Sequence, residues 1–325
     1  MSDANGETTS VTQNNQQQNG KERCSSTEEK EIPREPALTC KDINIKTELE
    51  CLVKLLDGKI SKDEEVAIEE LHQYLIEDEG SWALGDNFLV FVQRVLREQT
   101  FSPDTRIHMI RTLAFAALKD DVIIILHQDR RDHTLMNFGF DIEKHTPEEQ
   151  QAWALFMCNL FEHVSPSEWL LYISEWEYSG QTLSNIRVTT KVAVHCILSN
   201  CPMLKNIGTM MLYNVAIKEV KTVVSLKLQL LFIGNFLLNG NLVYFGKQVF
   251  DDVAVELTMA ILQFFQSSPN EDQIFRACKA LARFLEVSPD VAAIIQMIGP
   301  HPKQFSGKSE RVDDLIKTIS RKVPA

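Results

Sequence analysis

SPDTRIHMIRTLAFAAL (Ser102–Leu118) opens with a serine before a proline and then runs largely apolar to Leu118. Proline lacks the N–H that the first helical turn leaves unpaired, and its fixed φ suits that position, so the pair marks a helix start. Starts of the same kind recur in TPEEQQAWALFMCNLFEHV, SPSEWLLYISEWEYSG, SPNEDQIFRACKALARFLEV and SPDVAAIIQMIG. Repeated starts predict repeated units. Long apolar helices ending at Leu118, Phe161, Leu198, Leu238 and Leu285 recur at roughly 40-residue spacing, the period of armadillo and HEAT arrays. No alternating run of strand length interrupts them, and the β-branched DVIIILH (Asp121–His127) continues a helical stretch. The expected fold is all-α, an armadillo/HEAT-like α-solenoid in which each helix pair buries its apolar face against the next.

The 325 residues are 44% hydrophobic and 24% charged, enough apolar side chain for a sizeable core. Residues 1–45 are rich in Ser, Thr, Asn, Gln and Glu with almost no aromatic residue, and such a segment cannot offset the entropy of ordering. Two regions are therefore expected: a disordered polar tail over 1–45 and a helical-repeat domain over 46–325. At the start of the second, KTELECLVKLLDG reads as a helix stopped by Gly58. SKDEEVAIEELHQYLIEDEG follows, with Ser61 and Glu64 at capping-box spacing. The greasiest stretch, VVSLKLQLLFIGNFLLNGNLVYFG, carries Lys227, Gln229, Asn235, Asn239 and Asn241, so no membrane span is expected. The N-terminus has neither a basic start nor an apolar core, which predicts a protein of the cytosol, or of cytosol and nucleus. Seven scattered cysteines without CxxC spacing are no disulfide framework.

A net charge of -12 disfavours nucleic acid and anionic lipid, unless the positive charge is segregated. It is segregated. Between Ser179 and Gln248, Arg187, Lys191, Lys205, Lys218, Lys221, Lys227 and Lys247 face a single acid, Glu219. Further on, Arg276, Lys279 and Arg283 stack along one stripe of the helix IFRACKALARFLEV (Ile274–Val287). The alternative for any one of these is a solvated face. In a solenoid, equivalent helices line one concave surface, so Arg187 and Lys191, spaced i to i+4, could share a basic groove with Lys227 and the Arg276 stripe. Such a groove would attract an acidic peptide. Asn159, Asn235 and Asn239 interrupt apolar helices, and a carboxamide there can serve the backbone of an extended peptide. Asn239, before Gly240, could instead cap a helix end.

LFMCNLF, LLFIGNFLLN, IFRACKALARFL, VSPDVAAIIQMIG and the closing SERVDDLIKTISRKV resemble the PUL domain. That domain ends the phospholipase-activating-protein and ubiquitin-fusion-degradation factors. The resemblance covers roughly residues 61–323, most clearly from Glu148 on, through degenerate helix patterns. It implies an armadillo-like array whose basic groove binds the C-terminal tail of valosin-containing protein, the AAA+ ubiquitin-selective unfoldase. It also implies that Arg276 is a groove arginine, with Asn159 and Asn239 at matching positions. Phe115 stands where the family has another groove arginine, leaving Arg111 one turn earlier as a substitute, and an additional helical unit surrounds Asn185–Lys218. The family's β-propeller and ubiquitin-binding module are absent from this sequence.

No Gly-rich phosphate loop, HExxH or GxSxG is present, and His195, Cys196 and Cys201 lack convergent metal-ligand spacing. No cofactor and no metal are expected. The reading is a non-catalytic adaptor for an acidic extended peptide. Two alternatives stand beside it. One is a scaffold gripping a folded partner through Trp169, Tyr172 and the outer helices, although the spacing of Trp169, Tyr172 and Trp176 also allows helical core. The other is a cysteine hydrolase using Cys158, Cys196 or Cys278.

Overall fold

The structure is a computed structural model that describes residues 35–233, 241–299 and 301–323, the side chains of Ser81 and of residues 219–252 excepted. In chain order the helices are α1 (Ile45–Leu56), α2 (Lys62–His72), α3 (Asp86–Arg97), α4 (Pro103–Ala116), α5 (Ile123–Asp129), α6 (Thr134–Phe140) and α7 (Pro147–Asn159). They continue with α8 (Val164–Leu170), α9 (Asn185–Leu198), α10 (Pro202–Ile233), α11 (Asn241–Phe264), α12 (Glu271–Val287), α13 (Asp290–Ile298) and α14 (Glu310–Lys322). The fold is all-α in the solenoid manner. Its one sheet among the described residues is the hairpin of β1 (Glu175–Tyr178) and β2 (Gln181–Ser184).

The helices form two rows. One row stacks α1 on α4, α4 on α7, α7 on α10, α10 on α12 and α12 on α14. The other runs through α2, α3, α6, α9, α11 and α13, with α5 and α8 beside it. The two rows share one apolar core, in which Leu52, Leu113, Trp153, Phe156, Leu212 and Leu281 are fully buried. A helix such as α7 is flanked on several sides, so its apolar residues go all the way round: Ala152 to Cys158 are all buried.

Local chemistry sets the helix ends. The Ser102 hydroxyl accepts the Thr105 N–H at 3.2 Å, with Pro103 in the first turn of α4. Ser61 with Glu64, and Thr146 with Glu149, complete reciprocal capping boxes on α2 and α7. Gly58, at φ 68°, takes the left-handed conformation that stops α1. Three of the expected Ser-Pro starts are displaced. In SPNEDQ, Ser268 lies at φ 56° and Asn270 caps α12 instead, accepting the Gln273 N–H at 3.0 Å. Pro289 itself precedes α13, and Pro166 falls inside α8.

Two expectations give way here. The segment expected as a single aromatic helix after Ser165 is α8 followed by the hairpin, which turns on Ser179 (φ 50°) and Gly180 (φ 74°), the conformation two-residue hairpin loops demand. Four-residue strands are too short to show as alternation. Trp169 is consequently buried in α8, Tyr172 lies beyond it under the Arg130 guanidinium, and Trp176 sits on β1, stacked on His133 and donating to Asn137. The second concerns the tail expected over 1–45: its last part, residues 36–44, belongs to the folded unit, which begins at Pro36. Ala37, Leu38, Cys40 and Ile43 pack against the core.

Candidate peptide-binding face

Residues 36–44 carry no helix or strand and lie as an extended strap across the row of α4, α7 and α10. In an extended chain the N–H and C=O of residues two apart point to the same edge. Asparagine side chains meet that edge. Asn214 of α10 accepts the Leu38 N–H at 2.7 Å and donates to the Leu38 carbonyl at 2.7 Å. Asn159, at the end of α7, accepts the Cys40 N–H at 2.8 Å and donates to the Cys40 carbonyl at 3.0 Å. Its amide also donates to the Ala114 carbonyl of α4 at 2.9 Å, so one fully buried side chain joins two helices and the strap. The Cys158 thiol donates to the Leu38 carbonyl at 3.4 Å. Between these rungs Thr39 and Lys41 turn the other way and both reach the Glu162 carboxylate, each at 2.7 Å. Burial raises the Glu162 carboxyl, but hydrogen bonds from Lys41 and Thr39 outweigh that and leave it below its ordinary range.

Next along the row, α12 presents its cations. Arg276 is half-buried and donates through Nη1 to Asn206 Oδ1 at 2.8 Å and to Thr209 Oγ1 at 3.4 Å, both on α10. Among the described residues its hydrogen bonds go to neutral oxygens, which fix the guanidinium without cancelling its charge. Burial pulls its pKa down, and Asp272 opposes that. Lys279 lies one turn on, half-buried. Arg283, another turn along, bonds Glu286 at 2.9 Å, and Glu286 stands 3.8 Å from Lys322 of α14. Arg311 of α14 lies over the Phe275 ring at 4.4 Å and pairs with Glu271 and Asp272.

The other expected site residues are distributed differently. Arg187 and Lys191 are on α9, in the second row. Lys191 stands 3.5 Å from Glu143 and 4.0 Å from the centre of the Phe140 ring, and Arg187 interacts with Glu256 of α11. The expected convergence of this pair with Arg276 is therefore replaced by a separate cleft of about 610 Å³ that Lys191, His195, Glu143 and Glu256 line. The i, i+4 spacing does not say which row the helix joins. Arg111, on α4, lies in the first row and is 3.5 Å from Glu48 of α1, which also bonds His108 at 2.6 Å. Asn235, Asn239 and the Lys227 side chain lie outside the described residues. Asn159 does hold an extended backbone, and that backbone is the chain's own. Asn214 went unnoticed in the sequence, although LYNVAI carries the same signal as LFMCNLF, an amide inside an apolar helix.

Cys196 and Cys278 are buried, and burial pushes both thiols up to about 12. Among the described residues no three His, Cys, Asp or Glu side chains converge as metal ligands, and no helix is long and apolar enough to cross a membrane.

The sequence matches no protein-family model and no curated protein. Among the solved structures similar to it are two crystal structures of engineered proteins from the Northeast Structural Genomics Consortium. The first has a TM-score of 0.48 at 13% identity over 85% of this chain and 96% of its own. The second has a TM-score of 0.44 at 14% identity over 85% of this chain and 98% of its own.

Proposed function

We propose that the protein is a non-catalytic helical-repeat adaptor that receives an acidic, extended C-terminal peptide on the face built by α10, α12 and α14. The tail of the AAA+ unfoldase valosin-containing protein is the candidate that the PUL resemblance implies. The observation that carries this reading is Arg276, half-buried beside the strap and held by Asn206 and Thr209 rather than by a carboxylate. A guanidinium fixed in this way offers its remaining N–H groups to a carboxylate at little entropic cost. Lys279 and Arg283 extend the positive stripe for further acids. The strap already occupies Asn159 and Asn214, so in this reading the incoming peptide runs beside the strap and is read by where its acids fall against the fixed Arg276 guanidinium, not by those two amides.

The test is fluorescence anisotropy with a labelled unfoldase-tail peptide against a scrambled peptide of equal charge. The intact protein should prefer the tail. Arg276→Glu should weaken binding by about tenfold or more, with the thermal midpoint shifted by only about a few degrees. Affinity should fall steeply as salt is raised, whereas a folded partner gripped through apolar surface would bind almost independently of salt. Equal affinity for the scrambled peptide, or an Arg276→Glu variant that binds undiminished, would overturn the assignment.

A further inference from the structure

The strap brings two thiols together. Cys40 comes from the extended segment and Cys158 from the last turn of α7, and the two thiols lie close enough to shift each other's titration. Neither backbone is at liberty to drift. Both polar groups of the Cys40 peptide are held by Asn159, the residue next to Cys158. The Cys158 thiol reaches back to the Leu38 carbonyl two residues before Cys40, and Asn214 approaches the Cys158 sulfur at 3.9 Å. The two sulfurs differ in access: Cys40 is half-exposed and Cys158 fully buried.

We infer that Cys40 and Cys158 form a peroxide-responsive thiol pair, whose oxidation to a disulfide ties the strap covalently to α7. The division of labour follows from the surroundings. The Cys158 S–H, when it turns from the Leu38 carbonyl toward Cys40, lowers the Cys40 thiol against the opposing effect of burial, and the Arg276 guanidinium adds to the lowering. The same contact and full burial push Cys158 far up. Cys40 is thus the sulfur that meets the oxidant as thiolate, and Cys158 the one that resolves it. In the first step the Cys40 thiolate attacks one oxygen of hydrogen peroxide, the O–O bond breaks, and Cys40 sulfenic acid and hydroxide result. In the second the Cys158 sulfur attacks the sulfenic sulfur. The S–O bond breaks, the S–S bond forms, and the Cys158 proton leaves with the oxygen as water. Overall two thiols and one peroxide become one disulfide and two waters, with two electrons passing from sulfur to oxygen. Thiol reductants reverse it.

The experiment treats the full-length protein with limiting hydrogen peroxide, blocks remaining thiols by alkylation and maps the peptides without reduction. A Cys40–Cys158 linked species should be the dominant product, and dithiothreitol should remove it. Cys51 and Cys201, the other half-exposed described cysteines, should alkylate as before. In the oxidised protein the Leu38 and Cys40 amides should exchange hydrogen on the order of tenfold more slowly, because the strap can no longer lift. Cys158→Ala should leave Cys40 as a sulfenic acid that dimedone traps. If that buried substitution unfolds the chain, Cys40→Ser on the strap serves in its place and should abolish the link. Oxidation of Cys40 that stops at sulfenic or sulfinic acid in the unaltered protein, or peroxide reactivity at Cys40 no greater than at Cys51, would overturn the inference.

Discussion

Asn159 has four hydrogen-bonding positions on its carboxamide, and three are engaged: the Cys40 N–H, the Cys40 carbonyl and the Ala114 carbonyl. Because the site is fully buried, water cannot replace what a truncated side chain would give up. Asn159→Ala should therefore lower unfolding stability by about 2–4 kcal/mol in denaturant titration, since several buried groups lose their partner at once. Hydrogen exchange should show the Cys40 amide deprotected well beyond the Leu38 amide, which Asn214 still holds. Equal deprotection along the whole molecule would instead mean that Asn159 is merely a packing residue. At this scale the sequence was half legible. An amide in the middle of LFMCNLF announces that something must bond it, and the same holds for Asn214 in LYNVAI. What it bonds is not legible, because the partner is an irregular segment whose attachment rests on backbone groups, and every residue but proline has both of those.

Elements were most legible where a side chain closes the helix end. Ser61, Ser102 and Thr146 each cap the helix their spacing predicts. Glu149 adds a tertiary role to its capping one, bonding Arg106 of α4 at 2.5 Å and the Thr146 N–H at 2.9 Å. The hairpin and the row to which α9 belongs were illegible, because a four-residue strand and a helix face each need a neighbour to define them. The start of α6 shows how a neighbour can stand in for a cap. His133 precedes it at φ 49° with no side-chain cap, and Asp129, from the end of α5, accepts the Leu135 N–H at 3.2 Å. Burial pushes the Asp129 carboxyl up to about 7, against the pull of the Leu135 and Thr134 N–H groups. The folded form thus holds the proton more tightly than the unfolded chain, where the ordinary value is 3.8. The stabilising contribution is complete below that value and is lost as pH rises through about 7. Thermal unfolding of the native protein should lose ground to Asp129→Asn between pH 4 and pH 8. A constant difference across that range would show that the carboxyl is ionised throughout.

For the molecule as a whole, the helical character was readable because it is a sum over many residues. The fold is the all-α stacked array that the repeated helix starts predict. The boundary of the folded unit was misread by about one strap's length. Polar composition argues against burying area, yet PALTCKDIN is secured by hydrogen bonds to Asn214, Asn159, Cys158 and Glu162, together with the packing of Ala37, Leu38, Cys40 and Ile43 on the core. A chain starting at Ile45 should accordingly melt several degrees below one starting at Glu35, as differential scanning calorimetry would show. Identical midpoints would mean that the strap adds nothing to the fold.

Arrays of this kind ordinarily satisfy only nearest neighbours, so their ends can fray while the middle stays intact. Here Leu38 is bound to Asn214 across 176 positions of sequence, and the strap leads directly into α1, the first helix of the row. That belt makes the fate of the first repeat depend on the fourth helix of its row. Loss of either should unzip both together, giving a protein that melts as one piece where its architecture alone would let it come apart in sections.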